Sequence, residues 1–131
     1  MAVIAADDNH NLEDDPYGDS FGGITYILAD CLDYGSIISA LENKDFYATT
    51  GPKIFSLTSE QGTVSIKTSE AERIVFVTNN HHRKVVSSKN GESVTKADFV
   101  MTENDKWLRV EVVGFDGKRA FTRAFFTQEI L

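Results

Sequence analysis

Residues 107–126 read WLRVEVVGFDGKRAFTRAFF, and this stretch decides the fold. Leu108, Val110 and Val112 alternate with Arg109 and Glu111. That is the period of a strand with one face on a core. Asp116-Gly117 follows, a dipeptide suited to the positive φ of a tight hairpin turn. Lys118 to Phe126 then resumes the strand pattern, with Phe121 and Phe125 on one side. Upstream, similar runs recur at Ile54–Leu57, Val64–Lys67, Arg73–Thr78, Lys84–Ser88 and Ala97–Met101. Arg73–Thr78 is apolar on both faces, which predicts a central strand. Gln61-Gly62, Asn79-Asn80, Asn90-Gly91 and Asn104-Asp105 punctuate the runs. About seven short strands at this spacing predict an antiparallel β-sandwich over residues 51–131.

Residues 1–50 follow another pattern. Met1–Ala6 reads as a short buried strand that runs into Asp7-Asp8-Asn9-His10. Residues 11–23 have loop composition, with Pro16, Gly18, Gly22 and Gly23. Ile24–Ala29 predicts a second strand. Ser36 is placed to cap a short helix over Ile37–Asn43, where Ile37, Ala40 and Leu41 share a face. Thr49-Thr50-Gly51-Pro52 ends regular structure. The expected fold is therefore mainly β: an antiparallel sandwich with one short α-helix and an irregular acidic N-terminal arm.

The chain has 131 residues, enough for one core. Its net charge of -7 is uneven. Residues 1–50 hold ten acids and one base; residues 51–131 hold ten acids and twelve bases. An acidic chain repels a phosphate backbone, so nucleic acid is excluded as a nonspecific partner. No apolar run approaches the roughly 20 residues that cross a bilayer, and no membrane partner is expected. Met1–Ala6 lacks the basic flank and length of a signal peptide. A single cysteine, Cys31, fits a reducing compartment, so the expected location is cytoplasmic.

The chemistry-bearing feature is Asp8-Asn9-His10. An Asp and a His two apart past a strand end can face one site. Carboxylate oxygen with imidazole nitrogen suits Zn, Mn or Fe. Against it stands the bland reading of a solvated acidic face. His81-His82 sits among polar turn residues and reads as an exposed pair, since neighbouring side chains on a strand diverge. Trp107, Phe121, Phe125 and Phe126 are expected in the core rather than in a ligand platform. Arg109, Arg119 and Arg123 are expected to line a polar sheet face. Cys31 reads as an idle or buried thiol.

The order of these segments resembles the C-terminal end of PHP-domain metal-dependent phosphoesterases. The similarity lies in Asp7-Asp8-Asn9-His10, in Phe21-Gly22-Gly23, in a helix with Ile37, Ala40 and Leu41, and in Phe46-Tyr47-Ala48-Thr49-Thr50-Gly51-Pro52. A β-rich tail follows. The resemblance implies a distorted β/α barrel holding up to three divalent metals, where metal-activated water attacks a phosphate ester. It implies that Asp8 and His10 are metal ligands from the last motif of that barrel. Residues 1–50 would then be the remnant of the last barrel strand, loop and helix, and residues 51–131 a C-terminal β domain. The family's earlier ligands have no counterpart among these residues, which include only three histidines. Two donors cannot hold a metal cluster. The chain therefore reads as part of a phosphoesterase, inactive by itself, whose partner is the missing PHP barrel.

Two other readings stand beside it. One is a stand-alone β-sandwich that binds an unknown ligand. The other is a small metal protein that uses His10 and nearby acids across a two-fold axis. A homo-oligomer through the N-terminal segment is compatible with each. Residues 1–20 are expected to be poorly ordered or held in such a contact.

Overall fold

The computed structural model describes residues 2–6 and 22–130. Among them the chain runs β1 (Ile24–Ile27), α1 (Tyr34–Asn43), β2 (Phe46–Thr49), β3 (Ile54–Glu60), β4 (Thr63–Ala71), β5 (Arg73–Thr78) and β6 (Arg83–Ser87). It continues through β7 (Val94–Val100), β8 (Trp107–Val113), β9 (Arg119–Thr122), β10 (Phe125–Phe126) and α2 (Thr127–Ile130). The strands form two antiparallel sheets. The larger has the order β1-β2-β9-β8-β5-β6, with β10 added to β8; the smaller has the order β3-β4-β7. The fold is mainly β, as the alternating pattern predicts.

The two sheets bury one core. Ile74 and Phe76 of β5, Leu108, Val110 and Val112 of β8, and Ala120 of β9 face Val64 and Ile66 of β4 and Ala97 and Phe99 of β7. Phe76 stacks on Phe99 with ring centroids 5.2 Å apart. The β3–β4 hairpin pairs Glu60 with Thr63 across Gln61 and Gly62, both at positive φ. That is the two-residue turn whose twist matches the flanking strands. In the β8–β9 hairpin, Gly114 donates to Lys118 and Gly117 takes φ 82°, a value that favours glycine.

The larger sheet crosses the sequence division at residue 50. Tyr47, Ala48 and Thr49 of β2 pair with Thr122, Phe121 and Ala120 of β9. Phe46–Thr49 is thus a strand inside the sheet, although the sequence reading assigns no strand there and ends regular structure at residues 49–52. Thr49 Oγ explains the stop that follows: it donates to Pro52 O and accepts from Gly51 N–H, closing a turn.

Several expectations need correction. Ala2–Ala6 forms no strand, and Val3 and Ile4 are exposed. An apolar segment becomes a buried strand only where a sheet edge and a cover are present. Here Ala5 instead exchanges both backbone hydrogen bonds with the Thr25 hydroxyl, at 2.9 and 3.0 Å. The rest of the expected order or contact of residues 1–20 lies outside the described residues.

α1 begins three residues earlier than predicted. Asp33 is its N-cap and accepts from Ser36 N–H at 2.8 Å, so Ser36 lies within the first turn. The run from Lys118 to Phe126 breaks into β9 and β10. Thr122 Oγ accepts from Val110 N–H and donates to Arg123 O, which replaces the next ladder bond and turns the chain. A second helix, α2, follows β10.

Candidate functional site

Asp8 and His10 lie outside the described residues. The described chain on either side of their segment is informative. Ala6, which leads into Asp7, packs against Gly23 of the Phe-Gly-Gly motif. A Cβ on Gly23 would stand 2.8 Å from Ala6 O, closer than real contacts allow. With the Ala5–Thr25 pair, this brings both stems of the intervening segment together on β1. Glycine at 23 is thus required by a close backbone approach.

A shallow polar cleft of about 630 Å³ runs beside α1, bordered by Asp30, Asp33 and Asp45. Asp33 is committed to the helix cap, and the Ser36 backbone N–H holds its carboxyl below the ordinary aspartate range. Among the described residues, no group of three or more His, Cys, Asp or Glu side chains is placed to hold a metal ion.

A second cluster joins the β5–β6 turn to the β7–β8 connection. Asp105 is buried, and its Oδ2 accepts from Thr102 N–H and Thr102 Oγ, each at 2.9 Å. His82 Nδ1 lies 3.0 Å from the same oxygen. Burial pushes the Asp105 carboxyl up, but the Thr102 N–H, the imidazole and the Thr102 hydroxyl together hold it below its ordinary value. Asp105 Oδ1 has no hydrogen-bond partner among the described residues. The His82 ring also leans on Phe99, with centroids 4.6 Å apart. Asn79 Oδ1 accepts from Lys106 N–H at 2.6 Å, and Thr127 donates both N–H and hydroxyl to the same connection. The expected exposed histidine pair is therefore divided. His81 is exposed at φ 66°, while His82 is pinned. Among the described residues the imidazole's hydrogen-bond partner is the Asp105 carboxylate rather than a hydroxyl or thiol, and the cluster reads as a clasp between the sheets.

A third feature is a groove of about 220 Å³ at the open side of the sandwich. Tyr47, Ile54, Leu57, Phe125 and Arg123 line it. Tyr47 spans the sheets: its hydroxyl accepts from Ile54 N–H at 3.1 Å, and its ring stacks on Tyr26. Burial pushes its hydroxyl pKa up. Arg123 lies 4.2 Å over the Phe125 ring and grips Glu129 with two nitrogens, at 2.9 and 3.2 Å. That grip, helped by the Phe126 N–H, holds the Glu129 carboxyl below its ordinary range despite burial.

The arginines do not share one face. Arg109 and Arg119 flank Glu111 on the outer surface of the larger sheet, whereas Arg123 turns to the groove. Trp107, Phe121 and Phe125 are half-buried and Phe126 is exposed, so the expected aromatic core falls elsewhere, on Phe76 and Phe99. The sequence reading misses Asp105 and the Arg123–Glu129 pair. Both join residues whose contact depends on the strand break and on the crossing between sheets, and neither leaves a local spacing signal. Cys31 is exposed. No helix among the described residues is long and apolar enough to cross a membrane. No family model, no curated protein and no solved structure matches the chain.

Proposed function

We propose that this chain is the C-terminal region of a PHP-type metal-dependent phosphoesterase, acting in the cytoplasm. The observation that carries the reading is the approach of Ala6 to Gly23. It ties the segment that runs into Asp8 and His10 to the Phe-Gly-Gly motif, two parts of the resemblance that are separate in sequence. Val3, Ile4, Leu28, Leu32 and Tyr34, all exposed, add support. Exposed large apolar side chains suit contact with further protein, in this reading the barrel.

Asp8 and His10 fit Zn, Mn or Fe in donor type and fall short in number. They would supply one carboxylate and one imidazole, and the barrel the rest. A bound metal cluster would provide activated water and positive charge at the phosphate. This chain's own part is to hold two ligands at the stem and to cover the barrel. The test compares metal content and phosphatase activity of the 131-residue chain with those of a chain extended upstream through a barrel. The extended enzyme is expected to hold metal and turn over a phosphate ester, and to lose both on Asp8→Ala or His10→Ala. Metal-dependent turnover by the 131 residues alone overturns the proposal.

A further inference from the structure

We propose that the groove between β3 and the β9–β10 corner binds a small aliphatic monocarboxylate, taken up by Arg123 in exchange for Glu129. The walls are apolar: Tyr47, Ile54, Leu57 and the Phe125 ring. Among the polar side chains that line it, Arg123 brings a guanidinium whose side chain is 16% exposed. A planar fork of donors matches a carboxylate through two parallel bonds. The structure already contains such a carboxylate: Glu129 Oε1 sits 2.9 Å from Arg123 Nη2, and Oε2 sits 3.2 Å from Nη1. Glu129 lines the neighbouring cleft, which shares Leu57, Arg123 and Phe125 with the groove, and is thus a stand-in for a head group at the mouth between the two.

The stand-in lies at the surface. It sits on the four-residue α2, and its side chain is 43% exposed. Beyond its own bonds to Arg123 and Phe126 N–H, α2 is held by Thr127, which donates to Lys106 O and Asp105 O. When Glu129 leaves, Arg123 keeps the Phe125 ring beneath it and its bond to Ala124 O at 3.0 Å, so the fork stays in place. Lys44 and Asp45 border the groove with opposite charges, which leaves Arg123 to select the sign of the guest. The volume of about 220 Å³ lies below the roughly 300 Å³ of drug-sized sites, so the guest is a short chain.

This inference is independent of the reading of Asp8 and His10, and no result on metal or phosphatase activity bears on it. The experiment titrates the full 131-residue chain with butanoate, hexanoate and octanoate. Trp107 fluorescence reports binding, because Trp107 pairs with Phe126 beside the groove. Saturable binding is expected to tighten about three- to fourfold per added methylene until the groove is full. Octan-1-ol is expected to bind at least about tenfold more weakly than octanoate, and Arg123→Lys to weaken octanoate by a similar factor. Glu129→Gln removes the competing charge and is expected to tighten octanoate severalfold. If Arg123→Lys disturbs folding by circular dichroism, the alcohol comparison and Glu129→Gln decide alone. Absence of saturation, equal affinity for alcohol and acid, or a Glu129→Gln variant that binds octanoate no better overturns the proposal.

Discussion

The segment from β1 through α1 and the sandwich that follows use the same kinds of residue to opposite effect. In the sandwich, Ile74, Phe76, Leu108 and Val110 from one sheet meet Ile66 and Phe99 from the other, and all are buried. In the earlier segment, Ala40 is the only residue between 22 and 45 that is buried. Leu28, Leu32 and Tyr34 are 79, 95 and 82% exposed. α1 is well formed, with an Asp33 cap and Lys44 in the left-handed conformation at its end. Local chemistry thus suffices to shape a helix and an edge strand, but a core needs a second layer, and among the described residues that layer is present on one side only.

The comparison can be broken most directly by deleting side chains on both sides of it. Phe76→Ala removes a fully buried ring and is expected to destabilise the chain by about 3–5 kcal/mol in urea unfolding. Leu28→Ser and Leu32→Ser are expected to change stability by no more than about 0.5 kcal/mol. A loss of about 2 kcal/mol at either leucine means that this surface is covered in the free chain, for instance by a second copy. If the proposed barrel covers this surface, the same two substitutions are expected to become costly in a chain extended upstream.

Next in size is the clasp between sheets. Asp105→Asn weakens the acceptor for Thr102 and His82 at a buried site. It is expected to cost about 2–3 kcal/mol at neutral pH, the range for hydrogen bonds to a charged group. The Asp105 carboxyl titrates below its ordinary value in the folded chain. Its contribution is therefore complete above the unfolded aspartate value and fades as pH falls through the lower folded one. The stability gap between the wild type and Asp105→Asn is expected to narrow in acid, and unfolding curves at stepped pH measure it.

The sandwich was legible because alternation is a local signal. Leu108, Val110 and Val112 mark their strand without help from distant residues, and β5 and β8 have the bounds that the pattern gives. Phe46–Thr49 was not legible as a strand. Its pairing with β9 brings together residues some seventy positions apart, and its turn chemistry at Thr49 hides the strand before it. The same holds for the site. Asp8 and His10 stand out by residue type alone. The clasp depends on Asp105 meeting His82 across two connections, and the groove on Arg123 leaving the sheet where Thr122 takes over a ladder bond. Gly23 lies between these cases: its motif is visible in sequence, but the reason for a glycine is the position of Ala6.

That reason supports a sharper and smaller test. Gly23→Ala sets a methyl against backbone, which cannot give way as a flexible side chain would. Ala6 is expected to move and the two Ala5–Thr25 bonds to weaken, for a loss of about 1 kcal/mol in the free chain. Hydrogen exchange at Ala5 is the sensitive readout, with faster exchange expected in the variant. On the proposed reading, the same substitution in a chain extended upstream is expected to lower metal content, since it disturbs the stem that runs into Asp8 and His10. A variant that keeps Ala5 protected and its metal intact separates the glycine from the site.

The smallest effect concerns the helix that lacks a cover. Asp33 Oδ1 accepts from Ser36 N–H, and Oδ2 accepts from Ser36 Oγ at 3.0 Å. Asp33→Ala leaves that first-turn N–H to water and is expected to reduce α1 helicity in far-ultraviolet circular dichroism. Ser36→Ala keeps the backbone bond and is expected to reduce it less. Both changes should leave the unfolding midpoint of the sandwich almost unmoved, because α1 shares so little of the core. The pH dependence has a fixed sign. Asp33 titrates below its ordinary value when folded, so the cap holds above the unfolded aspartate value and is lost as pH falls through the lower one. Helicity that fades in acid while the near-ultraviolet signal of the core persists is the outcome that keeps the two regions distinct. If both signals fall together in Asp33→Ala at neutral pH, the helix and the sandwich unfold as one unit.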